Sequence, residues 1–593
     1  MAKLSGIFLE PLGPAYESAR TYDRTKLRHD VIAGLTVAVV ALPQSMAYAL
    51  VAGVPVKYGV STLIIQSFIG ALISSQRFLS VGPINTQSLL IASIVTRLAE
   101  PGDGPLYLQL VVGLTLIKGL MQTLMSLARL GVLARYVSHS AIVGFTAGAG
   151  VLIAAGQVHW LLGFSVVRLP SDLPGLIGDL QRLWPHLDEY NTRSILVGGA
   201  SLVILIAAAR LSKVAPAPLL AVIASAATVW ALGWSTDDLP LVPSVPAARE
   251  ALAVFRVPQL NWVQVERLFG GALALSLLGL MEAYSIGSTL AAKTGERIRA
   301  NRELLSQGVV NTISAFFQCI PGSGSFTRSA INYYAGAKTC YAGAFNAVFV
   351  AVFFLLLARW TGYVPMAALA AVLFVIAYGL IDFGYLRRTI RSSRADTIVC
   401  LGTFLATLCV PLVYAVFIGV FLNIALYLRR AGQLHIAEMV KTPHGPFEER
   451  PLRAGDRGRA RVRLLQIEGD LFFPVADELQ DQLTKVCGTQ APIVILRLKR
   501  TLGIDTSVMH VLERFVRDLQ ARGGYVLLCG VKPELVLQLR RFGLIDTIGA
   551  ENVFETGYGI FASAKQALSR AETLLDETDV DISDEIEGWS YEI

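Results

Sequence analysis

The sequence predicts an α-helical polytopic membrane protein that continues into a small cytoplasmic α/β domain. Of its 593 residues, 54% are apolar and only 16% are charged, and the mean hydropathy is +0.55, which is far from the balance of soluble globular proteins. Residues 31–50 form a chargeless stretch of about 20 residues, long enough to cross a hydrocarbon core of about 30 Å. Many similar stretches follow, so we interpret the first as a membrane span rather than as a signal peptide.

Apolar segments continue to position 430 and fall into two sets of about equal number. We therefore predict a transmembrane domain of about 14 helices at residues 31–430, preceded by a cytoplasmic segment at 1–30. The first set covers residues 31–50, 59–75, 84–98, 106–127, 132–155, 195–210 and 216–233. The second set covers residues 268–291, 304–319, 326–336, 341–358, 363–382, 396–412 and 413–429.

Basic residues follow every second segment, which predicts the orientation in the membrane. By the positive-inside rule these loops and both chain ends lie in the cytoplasm. The net charge of +7 is spread over short loops, so it does not indicate a nucleic-acid surface. The basic residues are Arg77, Arg129, Arg135, Arg210, Lys213, Lys293, Arg297, Arg299, Arg302, Arg387, Arg388, Arg391 and Arg394.

Two segments are interrupted at corresponding places, because each is the third of its set. Residues 78–83 (FLSVGP) predict a short extended piece that breaks at Gly82 and Pro83, and residues 316–321 (FFQCIP) resemble them. Broken backbone persists at membrane depth only beside a cavity or inside protein. Paired breaks of this kind indicate a transport site near the membrane midplane.

The second break leads into residues 321–332 (PGSGSFTRSAIN), which set open backbone, hydroxyl groups and Arg328 between apolar segments. A buried arginine costs roughly 2.5–3.5 kcal/mol even on lenient membrane-insertion scales, so it needs a partner, a cavity or a function. Helix N-termini with open N–H groups attract anions. The motif therefore predicts an anion site, and the alternative is a structural arginine paired with a carboxylate or with carbonyl groups.

Glu282 is the second residue that the membrane environment makes conspicuous. It stands in residues 277–284 (LLGLMEAY) with no charged neighbour in its segment. A deprotonated carboxylate is costly there, so we predict that Glu282 carries a proton during transport. The alternative is a fixed salt bridge, with Arg328 as a candidate partner.

Beyond position 430 the pattern becomes that of a soluble α/β domain. Strands are expected at 461–467, 492–498 and 525–530, and helices at 506–521 and 534–542. We predict a linker at 431–459, the domain itself at 460–572, and an acidic tail at 573–593.

Five transmembrane motifs occur in one order along the chain: residues 43–55 (PQSMAYALVAGVP), 80–83 (SVGP), 301–304 (NREL), 307–311 (QGVVN) and 325–332 (SFTRSAIN). In this order they resemble the sulfate permease (SulP) family, which includes the animal anion exchangers and prestin. The C-terminal domain likewise resembles the STAS domain that these transporters carry. Residues 504–508 (IDTSV) resemble the turn that bears a phosphorylated serine in small bacterial STAS regulators, which makes Ser507 a possible regulatory site; the alternative is a capped helix start.

The resemblance implies a 7+7 inverted-repeat fold, divided into a core that holds substrate and a gate, and it implies a homodimer. It places the substrate between the facing starts of the third and tenth segments, with the first segment lining the cavity. At position 84, where relatives often carry an aromatic residue, this chain has Ile84. Proton-coupled members use an acidic residue on the helix that contains Glu282. The implied substrate-binding residues are Gln44, Tyr48, Ile84, Asn85, Thr86, Ser325, Phe326, Thr327 and Arg328.

The predicted function is secondary active transport of an inorganic anion, with sulfate preferred and a proton as the coupling ion. Sodium-coupled bicarbonate transport and proton-coupled C4-dicarboxylate transport remain alternatives within the same class. An anion channel, or a membrane-tethered sensor that acts through the STAS domain, are alternatives of another class. The sequence shows no metal-binding cluster, catalytic triad or phosphate loop, so we expect no enzyme activity, no metal and no cofactor. We place the protein in the cell membrane with both termini in the cytoplasm.

Overall fold

The structure is a computed structural model, and it describes residues 13–99, 104–135, 138–164, 175–211, 216–243, 254–296, 298–442, 445–451, 462–487, 493–557 and 562–576. The chain divides into two compact units, residues 1–424 and 425–593. The predicted acidic tail at 573–593 lies outside the described residues from position 577 onward.

Each of the predicted apolar segments contains a helix in the first unit. The helices of the first set are α2 Arg24–Val51, α3 Val56–Ile73, α4 Asn85–Val95, α5 Gly104–Leu127, α6 His139–Leu162, α8 Thr192–Leu211 and α9 Ala217–Leu232. Those of the second set are α10 Trp262–Thr294, α11 Ala300–Ala315, α12 Phe326–Tyr334, α13 Tyr341–Leu357, α14 Met366–Gly379, α16 Arg394–Cys409 and α17 Leu412–Ala431. Three further helices are α1 Gly13–Arg20, α7 Gly175–Leu183 and α15 Phe383–Ser392.

Nine candidate spans in the described residues are long and apolar enough to cross a membrane. Several other predicted segments form shorter helices, and two of these, α4 and α12, begin directly after the predicted breaks. A multi-pass membrane protein with interrupted helices follows from this pattern, as the sequence predicts.

The two breaks pair with each other in a short antiparallel ladder. Strand β1, Val81–Gly82, and strand β2, Ser323–Gly324, are aligned so that Val81 lies opposite Gly324 and Gly82 opposite Ser323. Both strands are buried. Because each strand leads directly into a helix, the ladder fixes the starts of α4 and α12 relative to each other.

The second unit alternates strands and helices. Its elements are β3 His435–Thr442, β4 Gly445–Pro451, β5 Val462–Leu471, α18 Phe473–Cys487, β6 Ile493–Arg497, β7 Thr501–Ile504, α19 Thr506–Gln520, β8 Tyr525–Val531, α20 Pro533–Phe542, α21 Leu544–Ile548, β9 Val553–Glu555 and α22 Ala562–Asp576. The strands form a mixed sheet in the order β4-β3-β5-β6-β8-β9, with β7 pairing with β5. Strands β5, β6, β8 and β9 are parallel. Alternate strand residues face two cores, one against α19 and the other against α22.

The region predicted as a linker, residues 431–459, contains a β-hairpin instead of connecting chain alone. Strands β3 and β4 pair with each other, and β3 also pairs with β5. Their proline, glycine and charged residues suggested a linker, but an edge strand tolerates these residues because one side of it faces solvent.

Candidate functional site

A cavity of about 720 Å³ lies at the starts of α4 and α12. Helix α2, which contains the first apolar segment, contributes Gln44 and Tyr48 to its wall, and both side chains are otherwise buried. Gln44 Oε1 has no hydrogen-bond partner within the described part of the chain. The structure thus brings together eight of the nine predicted substrate-binding residues around one cavity: Gln44, Tyr48, Ile84, Asn85, Thr86, Ser325, Phe326 and Thr327.

The two helix starts present different groups to this cavity. At α12, the Ser325 side chain accepts a hydrogen bond from the Arg328 backbone N–H at 3.4 Å. At α4, Ile84 precedes the helix and has no side chain that could cap it, although Asn85 Oδ1 accepts from the Thr86 N–H at 2.8 Å. Helix starts carry partial positive charge and unpaired N–H groups, so both ends favour an anion in the cavity.

Arg328, the ninth predicted residue, lies behind the cavity wall. Its side chain is fully buried, and Nη1 donates to the carbonyl oxygen of Pro83 at 2.9 Å. Within the described residues, Nε and Nη2 have no hydrogen-bond partner. Arg328 therefore joins the tenth segment to the break in the third, and its charge acts on the cavity from a short distance.

Glu282 also lines the cavity, and it contacts the third segment rather than Arg328. Its Oε1 accepts a hydrogen bond from Thr86 Oγ1 at 2.5 Å, and its Oε2 accepts from Gln87 Nε2 at 3.4 Å. The salt bridge to Arg328 that we considered as an alternative is absent from the ion pairs of the described residues.

Lys118 on α5 is a functional candidate that our sequence analysis missed. It is fully buried, and Nζ donates to Gln87 Oε1 at 2.6 Å and to the carbonyl oxygen of Gly322 at 2.7 Å. The sequence does contain the feature that could have identified it, because Lys118 is the single charged residue in the apolar segment 106–127. The same criterion identified Glu282.

The two breaks thus have equivalent partners. Arg328 donates to the Pro83 carbonyl beside the first break, and Lys118 donates to the Gly322 carbonyl in the second. A buried carbonyl group without a donor is costly, so each cation satisfies broken backbone while it places positive charge near the cavity.

Amide and hydroxyl side chains bond to further backbone groups of the second break. Asn311 Nδ2 donates to Gly322 O at 3.1 Å, and Asn311 Oδ1 accepts from Gly322 N at 3.0 Å. Gln66 Nε2 donates to Ile320 O at 3.2 Å, and Thr62 Oγ1 accepts from Ile320 N at 2.9 Å. Asn311, from the motif at 307–311, and two residues of α3 therefore hold the break in place.

In the second unit, Ser507 is exposed near the start of α19, while the next residue, Val508, is buried. Asp505 caps this helix by accepting from the Val508 N–H at 2.9 Å. Asp505 therefore caps the helix start, and the regulatory role of Ser507 stays a prediction.

Comparison with known proteins assigns the family. A family model described as the sulfate permease family matches residues 27–403. The chain belongs to the sulfate permease family. A second family model, described as the STAS domain, matches residues 456–558 of this sulfate permease family member.

The curated relatives of this sulfate permease family member are named as transporters. The low affinity sulfate transporter 3 of Stylosanthes hamata is 29% identical over 578 residues, covering 93% of this chain and 89% of the relative. The putative sulfate transporter YvdB of Bacillus subtilis (strain 168) is 28% identical over 535 residues, covering 90% of this chain and 97% of the relative.

Two solved structures share the fold. The murine Solute Carrier 26 family member A9 anion transporter, in the inward-facing state, has a TM-score of 0.85 at 18% identity and covers 95% of each chain. The transmembrane domain of a cyanobacterium bicarbonate transporter, BicA, has a TM-score of 0.57 at 22% identity, with 68% of this chain and 98% of that chain covered. The first likeness extends over the helical unit and the α/β unit and shows the fold of both, whereas the second structure is a transmembrane domain alone.

Proposed function

We propose that this protein is a secondary active transporter of sulfate that moves the anion together with protons by alternating access. The observation that carries the proposal is the cavity at two facing helix starts, with Glu282 in its wall. The buried side chains of Arg328 and Lys118 donate to backbone carbonyl groups at the two breaks that precede these starts. The names of the curated relatives support sulfate as the substrate.

The charges of these three groups favour a divalent anion that travels with a proton. When Arg328 and Lys118 both carry a positive charge and Glu282 is ionised, the three groups sum to one positive charge. Protonation of Glu282 then leaves two positive charges, which match the two negative charges of sulfate. Unbalanced charge is expensive in a low-dielectric interior, so sulfate and a proton together stabilise the site more than sulfate alone.

The cavity also supports alternating access, since its wall extends toward one end of the helix bundle. Beyond the helix starts it includes Ile32 and Thr36 near the beginning of α2, and Leu380 just before α15. The basic residues of α15 support a cytoplasmic position for this end under the positive-inside rule. We therefore propose an inward-facing conformation in the cell membrane, with both termini in the cytoplasm.

The same proposal includes the homodimer implied by the family resemblance. Chemical cross-linking of the protein in membranes, followed by mass measurement, tests it: a species of twice the chain mass is expected, and a monomer at every cross-linker concentration contradicts it.

Sulfate uptake into proteoliposomes tests the function. We expect radiolabelled sulfate to accumulate under an inward proton gradient and only to equilibrate without it. Glu282→Gln should keep sulfate–sulfate exchange and lose gradient-driven accumulation, because the amide cannot take up or release a proton. Glu266→Gln is the matched control, since Glu266 is an exposed carboxylate on the same helix.

The outcomes separate the parts of the proposal. Uptake that ignores the proton gradient contradicts the coupling, and accumulation by Glu282→Gln contradicts the role of Glu282. Bicarbonate uptake that depends on a sodium gradient would favour the alternative substrate, and absence of uptake of any anion contradicts the transporter itself.

A further inference from the structure

Four side chains form a hydrogen-bonded series that begins at a buried cation and ends at the cavity. Lys118 Nζ donates to Gln87 Oε1 at 2.6 Å, and Gln87 Nε2 donates to Glu282 Oε2 at 3.4 Å. The other carboxylate oxygen, Oε1, lies 2.5 Å from Thr86 Oγ1. Lys118, Gln87, Thr86 and Glu282 are all buried, while Thr86 and Glu282 also reach the cavity wall.

We propose that Lys118 and Gln87 direct the coupling proton onto Oε1 of Glu282, and that the Thr86 hydroxyl then turns to donate a hydrogen bond to the anion. The inference rests on the proposed proton-coupled transport and names the residues through which the proton acts on anion affinity. Lys118 and Gln87 are positioning residues in this scheme, and Thr86 is the group that touches the substrate.

The first step is the orientation of the Gln87 amide. An ammonium group has only donors, so the Gln87 atom that faces Lys118 must be the carbonyl oxygen. The NH₂ group therefore faces Glu282. An amide that faced water on both sides could reverse, but Lys118 removes that freedom here.

The second step is the choice of carboxylate oxygen. The Gln87 NH₂ group can only donate, so Oε2 stays an acceptor whether Glu282 is ionised or protonated. A proton at Oε2 would lie against the amide hydrogens, which cannot accept a hydrogen bond. A proton at Oε1 faces the Thr86 hydroxyl oxygen, which can accept one. Protonation therefore occurs at Oε1.

The third step is the rotation of the Thr86 hydroxyl. While Glu282 is ionised, Thr86 donates to Oε1 and has only lone pairs left for the cavity. When Oε1 takes up a proton from the aqueous phase, Oε1–H donates to Thr86 Oγ1, and the Thr86 hydrogen becomes free to donate to an anion. One O–H bond forms at Oε1, the Thr86 O–H bond stays intact, and the carboxylate loses one negative charge.

Other ionisable groups near this series do not replace it. Lys118 on α5 is the basic residue that Gln87 connects to Glu282. Arg328 on α12 hydrogen-bonds to Pro83 O instead. Lys118 and Arg328 raise the positive potential in both protonation states, whereas the Thr86 hydroxyl changes its role with the proton.

Sulfate binding to the purified protein at acidic and alkaline pH tests the inference. In wild type, affinity should rise at acidic pH. Thr86→Val, which keeps the side-chain shape without the hydroxyl, should weaken binding roughly tenfold at acidic pH and leave it unchanged at alkaline pH. Thr86→Ser should behave as wild type. Equal weakening at both pH values overturns the inference, because it would mean that Thr86 contacts the anion regardless of the proton.

Infrared difference spectroscopy tests the geometry without any transport or binding. The C=O band of protonated Glu282, identified by its absence in Glu282→Gln, should shift in Thr86→Val and keep its position in Thr86→Ser. It should also shift in Lys118→Met, where the Gln87 amide is released, and return in Lys118→Arg. A band that stays in place in both Thr86→Val and Lys118→Met overturns the inference.

The two proposals fail in different ways. Wild-type uptake that ignores the proton gradient counts against the coupling in the proposed function. An unshifted infrared band counts against the Thr86 switch, even where gradient-driven uptake is present.

Discussion

At the scale of single residues, buried basic side chains bind backbone carbonyl groups at the two breaks. Arg328 and Lys118 come from different helices, yet each donates to a carbonyl oxygen at one of the two breaks. This pairing lowers the cost of burial, and it also explains why positive charge near the cavity need not come from residues that line it. In the proposed function, the anion and the broken backbone therefore depend on the same two basic residues.

Arg328→Ala should abolish sulfate uptake, because it removes one of the two positive charges and the donor to Pro83 O. Leaving a buried acceptor unsatisfied costs about 1–3 kcal/mol, so we also expect a lower melting temperature. Arg328→Lys should keep the charge and retain part of the uptake. Uptake assays and thermal unfolding of the purified variants measure both effects.

Arg391→Ala is the control for that prediction, since Arg391 is an exposed cation on α15 and does not line the cavity. It should transport as wild type. Full uptake by Arg328→Ala would contradict the prediction, because it would show that transport does not need the positive charge at position 328.

The sequence identified residues whose own segment makes them unusual, and it missed residues defined by contacts between distant segments. Glu282 and Arg328 stand out as charges among apolar neighbours. Gln87 does not, because its importance comes from lying between Lys118 and Glu282, residues that only the fold brings together. The position of Arg328 behind the wall likewise depends on the ladder between the breaks.

The crossing of the two breaks is the feature that organises the elements. At Gly322, a Cβ atom would contact Gln66 Oε1 and would lie 2.6 Å from the carbonyl oxygen of Gly82. A Cβ atom at Gly82 would lie 3.0 Å from Arg328 Nη2. Glycine is needed here because two backbones and a buried cation approach each other closely.

Gly322→Ala should separate the breaks and impair both folding and transport. Overpacking of this kind costs roughly 1–3 kcal/mol, and the resulting shift would also move the starts of α4 and α12. We expect a lower melting temperature and strongly reduced uptake.

Gly270→Ala is the matched control, because a Cβ atom there has no neighbour within 4 Å, and alanine favours a helix interior. Its stability should be unchanged or slightly higher. Equal behaviour of the two variants would contradict the close packing at the crossing.

Element prediction succeeded where hydropathy is the dominant signal. The apolar segments and both breaks are recognisable because lipid and buried backbone impose strict patterns. We did not predict the hairpin of β3 and β4 or the helix α15, because their polar residues are typical of loops. The sheet edge and the arginine-rich surface tolerate such residues, and tertiary pairing decides the structure there.

At the scale of the whole molecule, the cavity extends toward one end of the helix bundle. The cavity reaches Thr36 of α2 and Leu380 next to α15, whereas Trp262, which is highly exposed, begins α10 after loops that we assign to the other face. An alternating-access transporter exposes its cavity to one side of the membrane in each of two states. Access to the cavity from a given side should therefore change when substrate binds and is carried across.

Cysteine labelling in sealed vesicles measures this access. In a background with Cys409→Ser, which removes the exposed thiol of the described residues, Thr36→Cys should react with a membrane-impermeant maleimide only from the cytoplasmic side. Trp262→Cys should react only from the opposite side. Sulfate should slow labelling at position 36, because it occupies the cavity and shifts the protein out of the inward-facing state, and should leave position 262 unaffected. Labelling of position 36 from both sides at equal rates would indicate a continuous pore, and with it a channel instead of a transporter.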